Sequence, residues 1–470
     1  MTDVLVTNGR ILTQNADRTV IDDGAVAVTG NRISAVGPAS EIEAETEPAE
    51  VIDAGGGIVM PGLINTHVHV SDILLRGSFA PDRGLYDWLL NVKQPGTLSM
   101  SPEEHALAAT LYCVESIQSG TTTFVENDTE IRWDAPENSR AKLGVYDDLG
   151  VRNVYGAGIT DRPVDDGFRS LYEKLTARDP DVSHAAPDEF VYGTETAIEG
   201  VEDLIDRYHD PAGKQSVWPA PVVLEGTTRE GLEGAARIAE ERDVMTTVHV
   251  AEAEVQEQEP VSSVEYLRNI GYLGERALLG HCVQISEQDV RILAETGTNV
   301  AHNIGANARL GTGIAPVVSM LENGVTVGLG TDNAILNDTV NPLSDARTVA
   351  SIHKAAHRDP GVVPAQRAFD MVTRDAAAAI GRGEDLGSLE AGKRADIAVV
   401  DTDHPHLTPA PDPVHALVYG LQGFEIETVL CGGDVLMRDR ELRTLDRELS
   451  DLLAEAEEKG SEIVERVGIS

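Results

Sequence analysis

His67 and His69 stand two residues apart at the end of the apolar, β-branched run PGLINTHVHV at 61–70. Side chains on a strand alternate between faces, so both imidazoles point one way while Val68 and Val70 pack behind them. Two imidazoles aimed at one point are half of a metal site. His249, in TTVHVAE, offers a third nitrogen, and Asp332, closing the run GLGTDN, offers a carboxylate. Three nitrogens with room left for water suit Zn²⁺. Glu252, three residues after His249, is spaced to reach that water without ligating. His281, in LLGHCVQ, can orient the water as a neutral imidazole. Taken singly, each reads equally well as a core histidine, a surface glutamate or a turn aspartate. Four separate strand ends that each carry such a group are what argue for one site.

A Zn²⁺ or Fe²⁺ ion there would lower the pKa of its water and hold hydroxide ready to attack an electrophilic centre. Glu252 would move protons to the reacting and departing groups, while His281 and Asp332 steady the tetrahedral intermediate. One metal is favoured over two. The run SVWPAPVVL at 216–224 has no lysine to bridge a second ion, and Lys174 and Lys214 fall in loops; Glu225 keeps the two-metal option open.

These residues need strands whose ends converge. Apolar runs at 63–70, 121–127, 151–159, 216–224, 244–252, 277–284, 298–303 and 325–333 alternate with amphipathic stretches such as PEEHALAATLYCVESIQSG. Eight strands with helices between them predict an α/β fold with a closed (β/α)8 barrel over 61–380, whose chemistry gathers at the carboxyl ends of its strands. Short strands with Gly, Asn and Asp turns fill residues 1–60 and return at 381–445. We expect both ends to meet in one small β-sandwich. The Asp-rich interval 160–215 reads as an insertion over the mouth or surface, and the charged tail at 446–470 as a helix that caps the molecule or helps form a dimer.

Acidic residues number 79 against 37 basic, a formal charge of −42, which disfavours nucleic acid and anionic membranes as partners. Only seven of the 37 basic residues are lysine. An acid-rich, lysine-poor surface suits concentrated salt, so a halophilic, cytoplasmic enzyme is the expectation. Three widely spaced cysteines build no disulfide framework, and no apolar run approaches bilayer length.

HVH after PGL, HVAE, the GHC of LLGHCVQ, HNIGANARLGTGIAP and GLGTDN, with GKRADIAVVD and TVLCGGDVLMRD near the end, together resemble the amidohydrolase superfamily. Within it the pattern is similar to S-adenosylhomocysteine/methylthioadenosine deaminases and s-triazine hydrolases, including the N-ethylammeline chlorohydrolase type. The resemblance implies that His67, His69, His249 and Asp332 are metal ligands, Glu252 the proton shuttle and His281 the base that orients hydroxide. It implies an N-heterocyclic small-molecule substrate and a homodimer or higher oligomer. Asp87 and Trp88, in LYDWLLNVKQP, fall where the family meets ribose hydroxyls, with Asp87 one methylene shorter than the usual glutamate. His302 with Asn303, and Asn307 with Arg309, fall in the block that lines the mouth. Pro219, Ala220 and Pro221 stand where nucleoside-type members carry a histidine, which brings a triazine, a pyrimidine or a free purine into play. Three readings follow: an aminohydrolase of a purine nucleoside or related ring, an s-triazine chlorohydrolase or aminohydrolase, and a non-catalytic binding protein on a decayed scaffold. The complete ligand set argues against the third.

Overall fold

In a computed structural model the chain is described at residues 2–78, 84–133, 136–162, 191–210, 212–253 and 261–468. Five strands come first: β1 (Thr2–Leu12), β2 (Val20–Thr29), β3 (Arg32–Pro38), β4 (Pro48–Asp53) and β5 (Ile58–Pro61). The next nine are β6 (Leu63–His69), β7 (Thr121–Asp128), β8 (Arg152–Ile159), β9 (Gln215–Pro221), β10 (Thr246–Val250), β11 (Ala277–His281), β12 (Asn299–His302), β13 (Val327–Leu329) and β14 (Asp332–Asn333). They form two parallel sheets, β14-β6-β7-β8-β9 and β10-β11-β12-β13. At one seam Val223 bridges His249, whose N–H donates to the Val222 carbonyl at 3.3 Å. At the other, β13 pairs with β12, and β14, two residues further along the same run, pairs with β6. Hydrogen bonding therefore closes into a ring in chain order, and all eight expected strands are present within a few residues of their ends.

Near-continuous burial on both faces marks these strands; every residue of β7 is buried. Helices cover the outside, among them Pro102–Gln118, which Ser101 and Glu104 start with a reciprocal capping box. The interval 160–215 is not simply an insertion. Residues 163–190, including Lys174, lie outside the described residues, but Thr194–Tyr208 is a helix that buries Ala197, Val201, Leu204 and Ile205. Its apolar spacing is helical, and the many acidic residues between those positions obscured it.

The remaining strands, β15 (Ile397–Val400), β16 (Ile426–Cys431), β17 (Asp434–Arg438) and β18 (Glu441–Leu442), return to the first five. Together they make one nine-stranded mixed sheet, β18-β17-β16-β15-β5-β1-β2-β3, with β4 alongside β1. β5 runs parallel to β1 on one edge and antiparallel to β15 on the other, so the two chain ends meet there as expected. Bonding is unbroken through β5, so the strands from the two chain ends form one continuous sheet.

A buried ion pair joins this sheet to the barrel. Arg152, at the start of β8, places Nη2 3.0 Å from Oδ1 of Asp396, which also accepts the Gly432 N–H at 2.8 Å. Burial opposes the Asp396 charge, yet Arg152 and these donors hold its carboxyl below the ordinary aspartate range. A depressed folded pKa contributes stability that is complete above the unfolded value and is lost as pH falls through the folded one. Asp396→Ala strands the Arg152 cation and is expected to cost roughly 3–5 kcal/mol at neutral pH, measured as a lower denaturant midpoint. An unchanged midpoint would remove the pair from the list of stabilising contacts.

The tail helix Leu449–Val467 buries Leu452, Ala456, Gly460 and Ile463. Gly460 is required there, because a Cβ would sit 2.5 Å from the Leu74 carbonyl oxygen just past β6, and Arg466 clamps Glu104 at 2.7 Å. The helix thus caps the barrel. Among the described residues no helix is long and apolar enough to cross a membrane.

Candidate active site

The alternation of β6 sends His67 and His69 into the barrel mouth, and β10 and β14 add His249 and Asp332 from two other strand ends. Ligand atoms of His67, His69 and His249 lie within 4.8 Å of one another, as do those of His67, His281 and Asp332. Nε2 of His69 is 3.2 Å from Nε2 of His249, and Asp332 Oδ1 is 3.4 Å from His69 and 3.8 Å from His67. The outer nitrogens show which tautomers are held. Nδ1–H of His69 donates to the Asn127 carbonyl at 2.7 Å and Nδ1–H of His249 to the Val222 carbonyl at 2.6 Å. Two bare Nε2 lone pairs therefore face each other, and Nε2 of His67, wholly buried, has no hydrogen-bond partner among the described residues. Such an arrangement is repulsive alone and stable around a cation. About 3.3 Å is the spacing that two imidazoles show on one tetrahedral zinc with Zn–N near 2.05 Å. The donor set fits a divalent metal ion.

Electrostatics agree. Burial, then the neighbouring imidazoles, hold His67 well below its ordinary pKa; burial, then Lys93 and His249, do so for His69. Burial lowers His249 to about 4. At neutral pH all three keep the unprotonated nitrogen that a metal needs. Burial also lifts Asp332 to about 7 against the pull of Lys93. Burial, and then Asp332, push the Glu252 carboxyl well above its ordinary range. Its Oε1 lies 3.6 Å from Nδ1 of His281, whose Nε2 is 4.0 Å from Asp332 Oδ2. Backbone strain collects here too. His281, Cys282 and Asp332 have φ of 69°, 50° and 60°, left-handed conformations that cost about 1–3 kcal/mol each and persist where surrounding packing imposes them.

Residues 58–436 match the model of the amidohydrolase family. The chain belongs to that family. This amidohydrolase is 34% identical over 450 residues to a 5-methylthioadenosine/S-adenosylhomocysteine deaminase of Nitratidesulfovibrio vulgaris, with 94% of each chain covered. It is 32% identical over 484 residues to an S-triazine hydrolase of Gordonia rubripertincta, covering 100% of this chain and 98% of that one. An adenosine deaminase of Xanthomonas campestris, solved with bound zinc, superposes with a TM-score of 0.87 at 26% identity, covering 100% and 99%.

The other residues picked out in the sequence of this amidohydrolase divide into two groups. Trp88 lines the cavity over the site, together with Leu85, Leu89, Val222 and Val223. Asn307 is buried beneath it, its amide 3.1 Å from Nδ1 of His281 and 3.5 Å from Oε1 of Glu252. It positions those two groups and does not line the cavity. Asn303 also touches His281, at 3.4 Å. Asp87 accepts from Asn91 one turn along its own helix at 2.7 Å. His302 packs its ring against His353, away from the cavity, and half-exposed Arg309 reaches Asp338 at 3.4 Å. Glu225 lines the cavity but joins neither metal-competent cluster.

Two groups of residues went unread in the sequence. Asn127 contacts two histidines of the cluster at once, its main chain bonding His69 and its side-chain amide lying 3.0 Å from Nδ1 of His67. Its neighbours Glu126 and Asp128 face outward, gripping buried Lys142 at 2.6 and 2.8 Å. Strand alternation turns a rigid outer anchor into a fixed inner amide. The run TTTFVEND ends in polar residues as the other strand ends do, and that was the available signal. The second group is Lys93 with Glu130.

Proposed function

We propose that this amidohydrolase hydrolytically removes an amino group from a ring carbon of a purine nucleoside or a related N-heterocycle. The observation that carries this reading is the convergence of three imidazoles with Asp332, beside Glu252, whose carboxyl burial and Asp332 raise. His67, His69, His249 and Asp332 would hold the metal; an N₃O donor set favours zinc, and Fe²⁺ would bind the same groups. When bound, that ion supplies Lewis acidity and a water activated at neutral pH. Glu252 delivers its proton to the ring nitrogen next to the carbon under attack and then recovers one for the leaving amine. Asn307 keeps Glu252 and His281 in register, and His281, neutral, offers its ring nitrogen to the attacking oxygen. Leu85, Leu89, Val222 and Val223 exclude bulk water on the ring side.

The relatives support both substrate classes, and the Pro219–Ala220–Pro221 segment of β9 favours the triazine reading over the nucleoside one at that point. Ammonia release from adenosine, S-adenosylhomocysteine, guanine, cytosine and melamine by metal-loaded protein decides between them. Release from a purine supports the leading reading, and release from melamine alone supports the triazine one. Silence on all five overturns the aminohydrolase reading, and with no metal by elemental analysis it favours a non-catalytic binding protein.

A division into a barrel over 61–380 and a terminal β-module fits the two sheet systems, and we read it as such. We further infer salt adaptation from the charge of −42 and the seven lysines. Screening of carboxylate self-repulsion is expected to raise the melting temperature steadily from about 0.1 M to molar salt, where the Debye length falls from about 10 Å to 3 Å. A melting temperature flat across that range would exclude the adaptation.

A further inference from the structure

Lys93 is buried in the wall of the cavity, on a segment that begins with the helix Leu85–Trp88 and continues as a π-helical turn, Leu89–Lys93. Residues five apart share one face of such a turn, and these turns are frequent at functional sites. Trp88 and Lys93 therefore stand together, and both line the cavity that holds His69, His249, Glu252 and Asp332. Nζ of Lys93 donates to Glu130 Oε1 at 2.6 Å and to Thr129 Oγ1 at 2.5 Å. Two of its three N–H bonds are thus spoken for, and its charge is balanced in place. Glu130 is fixed in turn by hydroxyls of Thr129 at 2.6 Å and Thr97 at 3.3 Å. Trp88, a residue 1% exposed that lines the same cavity, has an indole N–H with no hydrogen-bond partner among the described residues. A buried N–H left unpaired costs about 1–3 kcal/mol, a cost that a substrate acceptor would remove.

We propose that the third N–H of Lys93 and the indole N–H of Trp88 form a donor pair that reads ring nitrogens on the substrate edge away from the reacting carbon, making Lys93 a specificity-determining residue. Glu130 offsets part of the ammonium charge, and the two N–H groups select an aromatic ring that carries unprotonated nitrogens on that edge. This inference rests on the aminohydrolase reading and names the feature of the substrate that the wall recognises.

The test compares rings that differ by one nitrogen: adenosine with 3-deazaadenosine, and melamine with 2,4,6-triaminopyrimidine. Lys93→Met alone would bury an unpaired Glu130, so the variant is Lys93→Met with Glu130→Gln; Trp88→Phe serves as the second probe should that one not fold. Metal content by elemental analysis is expected to stay at the wild-type level. kcat/KM on the full-nitrogen ring is expected to fall roughly 10- to 100-fold, the loss of a hydrogen bond to a charged donor, mainly through KM. On the carbon-substituted partner the fall is expected to stay under about threefold; where that partner binds without turnover, its inhibition constant is compared instead. Equal losses on both members of a pair, or no loss on either, overturn the donor pair while leaving the aminohydrolase reading intact. Silence of metal-loaded wild type on all four rings overturns that reading, and the donor pair with it.

Discussion

Glu252→Gln is expected to lower turnover by about 10²–10⁴-fold, the usual contribution of a positioned proton-transfer group, with metal content unchanged. Glutamine keeps the shape and preserves contact with Asn307, which lies 3.5 Å from Oε1, but it carries no transferable proton at any working pH. The proposed metal-binding cluster does not include Glu252; its four groups come from β6, β10 and β14, and three of their outer contacts run to Asn127 and Val222. Burial and then Asp332 push the wild-type carboxyl well above the ordinary glutamate range, which favours its holding a proton that glutamine cannot supply. Single-turnover ammonia release and elemental analysis on the same preparation measure the two effects separately. A variant with near-normal turnover would take Glu252 out of the proton pathway, and one that lost its metal would make it a ligand.

The parts of this site legible in the sequence are those in which strand periodicity does the positioning. His67 and His69 two apart, His249 before Glu252, and Asp332 at the end of a glycine-punctuated run each sit at a strand terminus, where a barrel directs side chains to one place. Contacts between distant segments left less trace. Lys93 and Glu130 are 37 residues apart and meet only because the π-helical wall folds over β7. Lys142 looks like an ordinary helix cation until Glu126 and Asp128 are seen beneath it. His302 illustrates the converse. Its place at the end of β12 suggested the mouth, but its ring turns out toward His353, and alternation alone cannot say which of His302 and Asn303 faces inward when the strand ends between them. At the chain ends, composition told that strands return, and the pairing of β5 on both edges is what makes them one sheet.

Removing the metal is expected to destabilise the protein more than any single surface change. The apo site confines two facing lone pairs 3.2 Å apart, an orphaned His67 Nε2 and an Asp332 carboxyl lifted to about 7. Each is a cost of folding that a divalent ion offsets. Binding to the folded state alone adds RT ln(1 + [L]/Kd), about 4 kcal/mol at a thousandfold excess over Kd. Chelator-treated protein is therefore expected to melt at a lower temperature and to recover on addition of zinc. His67→Ala removes one donor and the orphaned nitrogen together. That variant should bind zinc far more weakly, so its melting temperature should respond little to either treatment. His302→Ala, buried but outside the cluster, should lose stability from its cavity and still respond to zinc like wild type. If chelation leaves the wild-type melting temperature unmoved, the three imidazoles and Asp332 do not hold a cation, and the hydrolytic reading loses its centre.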